Sequence, residues 1–287
     1  MDHSTHQPQG SVSEVFRVFL KLGLTSFGGP IAHLGYYRDE LVVRRKWIDE
    51  AGYADLVALC QFLPGPASSQ VAFSLGVLRS NGLVGGLAAS LAFTLPSAII
   101  LFAFALGAAA FTGPLAEGFL HGLKLVAVAV VAQAIWGMAK SLTPDKPRAA
   151  IALIAVATVV FIAGSLGQIA AIAGGAILGL WLCRGNGATV TGHLSFPVSR
   201  RSGTIALVAF ATLFVTPPIL VSTTGHQAVA LFDAFYRSGA LVFGGGHVVL
   251  PLLQAEVVAP GWVSNESFLA GYGLAQAVPG PLFTFAA

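Results

Sequence analysis

The stretch FGGPIAHLGYYRDELVVRRKWIDEAGYADLVALCQFLPGP, residues 27–66, has a second version in the same chain, FGGGHVVLPLLQAEVVAPGWVSNESFLAGYGLAQAVPGP, at 243–281. The match begins upstream: Phe16, Phe19, Gly23, Phe27, Gly28 and Gly29 recur 216 residues later as Phe232, Phe235, Gly239, Phe243, Gly244 and Gly245, and Lys21 recurs as Arg237. Downstream, Trp47, Leu59, Gln61, Pro64, Gly65 and Pro66 recur as Trp262, Leu274, Gln276, Pro279, Gly280 and Pro281 at an offset of 215, so one residue is missing from the intervening loop. Isolated glycines would coincide often in so Gly-rich a chain, but an ordered set of Phe, Trp, Gln and Pro would not. The chain therefore contains an internal repeat.

Between the copies lie apolar stretches without a charged residue, over 80–116, 125–139, 149–183 and 202–232. A helix needs about 20 such residues to cross a bilayer. Hydrophobic residues make up 55% of the 287 and charged residues 9%. A soluble chain carries about 25% charge, so no polar shell can be built here. Backbone groups in hydrocarbon must pair among themselves, and uniform apolar runs do that as helices. Alternating β-barrel strands are excluded by the same runs. Crossings are expected at 83–111, 117–140, 148–164, 167–183 and 204–222.

Charge suggests how the copies are oriented. The first loop carries Arg38, Arg44, Arg45 and Lys46, and its counterpart at 247–262 has no Lys or Arg. Cytoplasmic loops favour Lys and Arg, so the two loops are expected on opposite sides, which five intervening crossings allow. The fold class is thus an all-α polytopic membrane protein with an inverted-topology repeat and helices broken at Pro-Gly-Pro. Its expected organisation is a disordered tail (1–11), a first half (12–183), a cytoplasmic linker (184–203), a connecting span (204–227) and a second half begun at 228–287. That second half stops six residues past Pro281 and is expected to be truncated.

The Pro-Gly-Pro motifs are helix breaks. A helix over 50–63 should stop at Pro64, which has no N–H and clashes with the preceding turn, and Gly65 permits a reversal. Pro66 suits the first position of a new helix running to about Arg79. The free amides of Ala67, Ser68 and Ser69 would then face the break, and a helix N-terminus is a ready anion site. Gln276, Pro279, Gly280, Pro281 and Thr284 would form the counterpart. A simple packing kink is the bland reading, but paired interruptions in a repeat-built membrane protein point to a central site.

Phe16, Phe19, Gly23 and Phe27 fall on one helical face, as do Phe232, Phe235, Gly239 and Phe243, and these phenylalanines are expected to pack. The glycines Gly28, Gly29, Gly244 and Gly245 either let backbones approach or let the chain break and present amides. Lys21 and Arg237 are charge candidates, because a cation at membrane depth costs a few kcal/mol and usually faces a polar cavity. Snorkelling towards headgroups is the alternative, and Asp233 lies one turn before Arg237. His33 and His247 are either proton relays or anion contacts, with loop-surface histidines the simpler reading. Asp55 and Lys124 complete the ionisable candidates. Cys60 and Cys183 read as packed, reduced thiols. The +3 net charge gives no sign of nucleic-acid binding. No metalloprotease, nucleotide-loop or hydrolase motif is present, so neither an enzyme nor a cofactor is expected.

At residues 26–76 and 238–287 the chain resembles the chromate ion transporter family through its FGG–Trp–Gln–PGP framework. The resemblance implies two homologous halves in the bacterial inner membrane and export of chromate from the cytoplasm, giving chromate resistance. It places those roles on Phe27, Gly28, Gly29, Gln61, Pro64, Gly65, Pro66 and their counterparts. Chromate is a tetrahedral dianion of acceptor oxygens, suited by amides, by Ser68 and Ser69, and by Lys21 or Arg237. Sulfate fits equally well. A carrier of sulfate or another oxyanion, and a non-transporting truncated fragment, are the alternatives. The expected partners are the oxyanion and the lipid bilayer, and a homodimer is compatible.

Overall fold

In the computed structural model, residues 10–108, 145–162, 165–183, 196–242 and 249–286 are described, with Leu194 and isolated positions between 118 and 143. Among them all regular structure is helical. The chain forms two compact units, one of residues 1–127 with 191–287 and one of 128–190. The tail at 1–9, most of the crossing expected at 117–140 with Lys124, and the second Phe-Gly-Gly segment with Gly244, Gly245 and His247 lie outside the described residues.

In the larger unit, α1 (Val12–Thr25) is started by Ser11, whose hydroxyl accepts the Glu14 amide at 3.1 Å. After a break at Ser26–Gly28, α2 (Gly29–Tyr37) runs on as a π-helical turn, Arg38–Arg44. Then come α3 (Glu50–Phe62), α4 (Ala67–Ser80) and α5 (Leu83–Ala108). The same unit holds α8 (Arg200–Thr224), α9 (Gln227–Ala240), α10 (Val249–Val257), α11 (Asn265–Ala277) and a 3-10 turn, Leu282–Ala286. The smaller unit is a hairpin of α6 (Lys146–Phe161) and α7 (Ser165–Leu182).

Helices α1 and α4 both pack on α5. Glycine sets how closely. A Cβ on Gly23 would lie 2.6 Å from the Phe93 carbonyl oxygen and 3.1 Å from that of Ala92. Pro96, inside α5, cannot donate to Ala92, so the α1 backbone at Gly23 covers a carbonyl that the proline has freed. Gly76 and Gly85 bring α4 and α5 together in the same way, each facing the other's carbonyl. Small residues serve this purpose in membranes, where apolar burial against lipid gives helices no net attraction. Around the contact, Phe19 meets Tyr37 edge-on at 5.7 Å, and Tyr37 meets Phe93 at 5.3 Å. Arg79 at the end of α4 reaches Glu14 at 3.1 Å and lies 5.2 Å over Trp47, tying α4 to the start of α1.

Among the described residues two helices, Leu83–Gly107 and Arg200–Thr224, are long and apolar enough to cross a membrane. The second is almost wholly exposed: of its most apolar 18-residue window, 6% is buried. At 25 residues it is about 37 Å long, enough for a hydrocarbon core of about 30 Å. An exposed apolar face of that extent suits a lipid surface. Its start differs from the expected 204 because Ser199 accepts the Ser202 amide and draws Arg200 and Arg201 into the first turn. Ala170–Leu182 is a shorter apolar helix.

Helices α3 and α11 occupy matching positions and are each 13 residues long. Asp49 caps the first through the Gly52 amide at 2.8 Å, and Ser264 caps the second through Ser267 at 3.1 Å. Both stop one residue earlier than proline alone requires. Leu63 (ψ 147°) and Val278 (ψ 140°) are extended, since a residue preceding proline is barred from helical geometry. Gly65 and Gly280 follow at φ +115° and +107°, a region that only glycine occupies without strain.

Candidate functional site: the crossed breaks

Each Pro-Gly-Pro loop is hydrogen-bonded to the residue that precedes the other copy's Phe-Gly-Gly. The Gly65 amide donates to the Val242 carbonyl at 2.7 Å, and the Gly280 amide donates to the Ser26 carbonyl at 2.9 Å. Ser26 and Val242 are themselves repeat mates, each immediately before an FGG. Each reversal thus satisfies a carbonyl at the other copy's helix end.

Around the first loop, Gln70 turns its side-chain amide back to the Pro64 carbonyl at 2.7 Å. Pro66 is the N-cap of α4 rather than its first residue, because its ψ of 105° is extended while its carbonyl already accepts the Gln70 amide at 3.0 Å. No side chain caps α4, and none caps α2 behind Gly28 (φ +94°). These two uncapped N-termini belong to helices that pack together. Ser68 is buried and Ser69 half-buried. A groove of about 320 Å³ beside the loop is lined by Leu59, Cys60, Leu63, Ser69, Gln70 and Ser74. Gln61 is exposed, one position from that lining.

The second loop sits on α5. A Cβ on Gly280 would come within 2.7 Å of the Ser97 hydroxyl and 3.4 Å of the Phe93 carbonyl. Pro281 and Thr284 are buried, Thr284 donating to the Pro281 carbonyl at 2.6 Å, and Pro279 is half-buried. Gln276 is half-buried with its amide nitrogen unpaired among the described residues.

Several ionisable candidates sit elsewhere than expected. His33 is no surface histidine: it is fully buried in α2, 5.1 Å edge-on to Phe93, with neither ring nitrogen hydrogen-bonded among the described residues. The reason is that the chain re-enters a helix at Gly29, turning His33 inward. Phe27 leaves the face expected for it, since α1 ends at Thr25, and it is exposed along with Phe16 while Phe19 is buried. Lys21 is over half exposed and lies 3.8 Å from Glu40. Arg237 lies 3.5 Å from Asp233 and 4.8 Å over the Phe214 ring. One oxygen of half-buried Asp55 is unpaired among the described residues. Cys60 is buried and Cys183 half-buried, both free.

Glu40 was missed from sequence. Arg45 reaches it at 2.8 Å, Arg44 at 2.9 Å and Lys21 at 3.8 Å. Burial pushes its carboxyl up, but Arg45, Lys21 and Arg44 together outweigh burial and hold it below the usual range. The signal was available: Glu40 recurs as Glu256 at the same 216 offset as Lys21 and Arg237. Ser26 was also missed; it is fully buried with its hydroxyl unpaired among the described residues. Among those residues no group of His, Cys, Asp and Glu could hold a metal.

Helical throughout its described residues, with a span-length helix bare of polar cover and two crossed breaks in its larger unit, the chain is an integral membrane protein. Residues 13–180 and 229–287 match the chromate transporter family. The chain belongs to that family. It is 29% identical over 97% of its length to a chromate transport protein of Pseudomonas aeruginosa, and 30% identical over 96% to a probable chromate transport protein of Synechococcus elongatus. It is 28% identical over 96% to a chromate transport protein of Cupriavidus metallidurans. The chain spans about two thirds of these relatives, 66%, 67% and 66% of their lengths. No solved structure matches it.

Proposed function

We propose that this chain carries a tetrahedral oxyanion, chromate first, across the bacterial inner membrane through a site at the crossed breaks. The observation that supports the reading is the reciprocal pair of hydrogen bonds, Gly65 to Val242 and Gly280 to Ser26, which ties each interruption to the residue before the other copy's Phe-Gly-Gly. Beside them, the uncapped starts of α2 and α4 offer free amides and the positive ends of two helix dipoles. Gly28, Gly29, Ser68 and Ser69 line the first approach, with Gln61, Pro64, Gly65 and Pro66 shaping its turn. Gln276, Pro279, Gly280, Pro281 and Thr284 form the second, for which Gly244 and Gly245 are further candidates by their place in the repeat. Lys21 and Arg237 supply positive charge, and Asp55 and His247 are relay candidates.

The copies are inverted with respect to one another, with the loop of Arg38, Arg44, Arg45 and Lys46 in the cytoplasm. Outward movement is the expected direction. Taking a dianion out of a negative-inside cell releases about 4.6 kcal/mol per 100 mV, twice the figure for one charge, so export needs no nucleotide. Such export would confer chromate resistance. The names of the relatives favour chromate over sulfate.

Everted vesicles containing the chain should accumulate labelled chromate when energised, and unlabelled sulfate should compete if one site serves both. Accumulation no greater than in vesicles without the protein would remove independent transport by this chain. Sulfate uptake that chromate leaves untouched would remove the shared site.

A further inference from the structure

We infer that His33 is a proton-binding site linked to the anion site, so that one proton is taken up with each bound oxyanion. The inference rests on the oxyanion reading of the crossed breaks and adds what that reading lacks, a coupled proton.

A buried histidine with a purely structural role satisfies at least one ring nitrogen, because an unpaired buried polar group is costly. His33 satisfies neither among the described residues. It lies beside the Ser26 backbone, whose carbonyl receives Gly280, and the Ser26 hydroxyl is likewise unpaired. One turn further along α2, the Tyr37 hydroxyl is buried and unpaired among the described residues, and its ring touches the same Phe93. Two turns from His33 is Glu40. Ser26, His33, Tyr37 and Glu40 form a buried polar file from the break to the basic loop. The second copy has Val249 and Leu253 where His33 and Tyr37 stand, so the file belongs to one copy alone and supplies one proton site per chain.

An imidazolium at His33 needs a counter-charge, and no carboxylate of the neighbouring elements lies against it. Helix α5 has no ionisable residue over 83–107, and α4 has Arg79 alone, at its far end. On α1, Lys21 is engaged with Glu40. On α3, Tyr53 donates to the Leu34 carbonyl at 2.6 Å, Glu50 is paired with Arg38 at 2.6 Å, and Asp55 keeps one oxygen unpaired among the described residues without acting on His33. Glu40 already faces three cations. A dianion in the break supplies the missing charge. Binding of proton and anion then favour each other, by the same factor in each direction.

The test is chromate binding to the purified full chain across pH 6–9, against His33→Gln. One linked proton steepens the affinity by up to tenfold per pH unit towards acid. The variant should lose that slope, and comparing the two cancels chromate's own protonation. Equal slopes in both proteins overturn the inference while leaving the anion site standing. Absence of binding in both overturns the oxyanion reading and this inference with it. Should His33→Gln fail to fold, proton uptake by the wild type on adding chromate decides: about one proton per bound anion supports the linkage, and none refutes it.

Discussion

Gly280 gives its amide to the carbonyl of Ser26 at 2.9 Å, and Gly65 returns the arrangement by giving its own to Val242 at 2.7 Å. An unpaired backbone group in hydrocarbon costs several kcal/mol. Each helix break therefore needs a donor or acceptor from elsewhere, and here each copy supplies the other's. Loosening one crossing leaves two polar groups exposed to the membrane interior, so the crossings should form and fail together.

Replacing either glycine with alanine forces a side chain into φ above +100°, at about 1–3 kcal/mol. Gly280→Ala should be the worse. Its Cβ meets Ser97 Cβ at 3.0 Å and the Phe93 carbonyl at 3.4 Å, whereas at Gly65 the nearest atom is the movable end of Gln70. Thermal unfolding in detergent should show a larger fall in Tm for Gly280→Ala. Leucine at either position should abolish transport without preventing membrane insertion; wild-type transport would remove these loops from the mechanism.

Repeat mates need not respond alike. Gly23→Ala drives a methyl into the α5 backbone, and should cost about 1–3 kcal/mol. Gly239 has nothing within 4 Å of its Cβ position and lies inside α9. Gly239→Ala should therefore be neutral or stabilising by up to about 1 kcal/mol through helix propensity. Comparable losses at both positions would contradict the packing described.

Glu40→Gln removes the negative charge that pairs with three cations and should destabilise by about 1–3 kcal/mol at neutral pH. The carboxyl is held below its usual value of 4.5 when folded. Its contribution is complete above that value and disappears as the pH falls through the lower folded value. The gap in Tm between wild type and Glu40→Gln should close on acidification below about pH 4.5, where a gap unchanged by acid would assign the loss to something other than charge.

Lys21 separates a structural role from a functional one. More than half exposed, its pair with Glu40 should contribute under about 1 kcal/mol. If the ammonium draws the anion towards the break, Lys21→Gln will weaken chromate uptake severalfold with little change in Tm, and Lys21→Arg will restore it. Equal falls in Tm and uptake would make the residue a brace.

Much of the fold was legible in residues because its causes are local. A proline halts the helix before it wherever it stands, and Asp49 and Ser264 cap the helices that follow them. Where the reading missed, the missing information was distant. His33 follows a glycine pair in a loop-like sequence, and its burial depends on α5 arriving from sixty residues away with Phe93. Phe27 shares a helical period with Phe19, but the helix had already ended at Thr25. Glu40 stands among four basic residues, and nothing in its immediate sequence shows that its carboxylate is turned inward.

From the sequence alone come the all-helical, membrane-bound character, the repeat and the places where its helices break, since charge content, hydropathy and proline sterics act over a few residues. Which break meets which was decided only in three dimensions. Nothing near Gly65 specifies Val242, and nothing near Gly280 specifies Ser26. Those pairings follow from helices packing at glycine contacts, and from a medium without water in which each broken helix must find its hydrogen bonds within the protein.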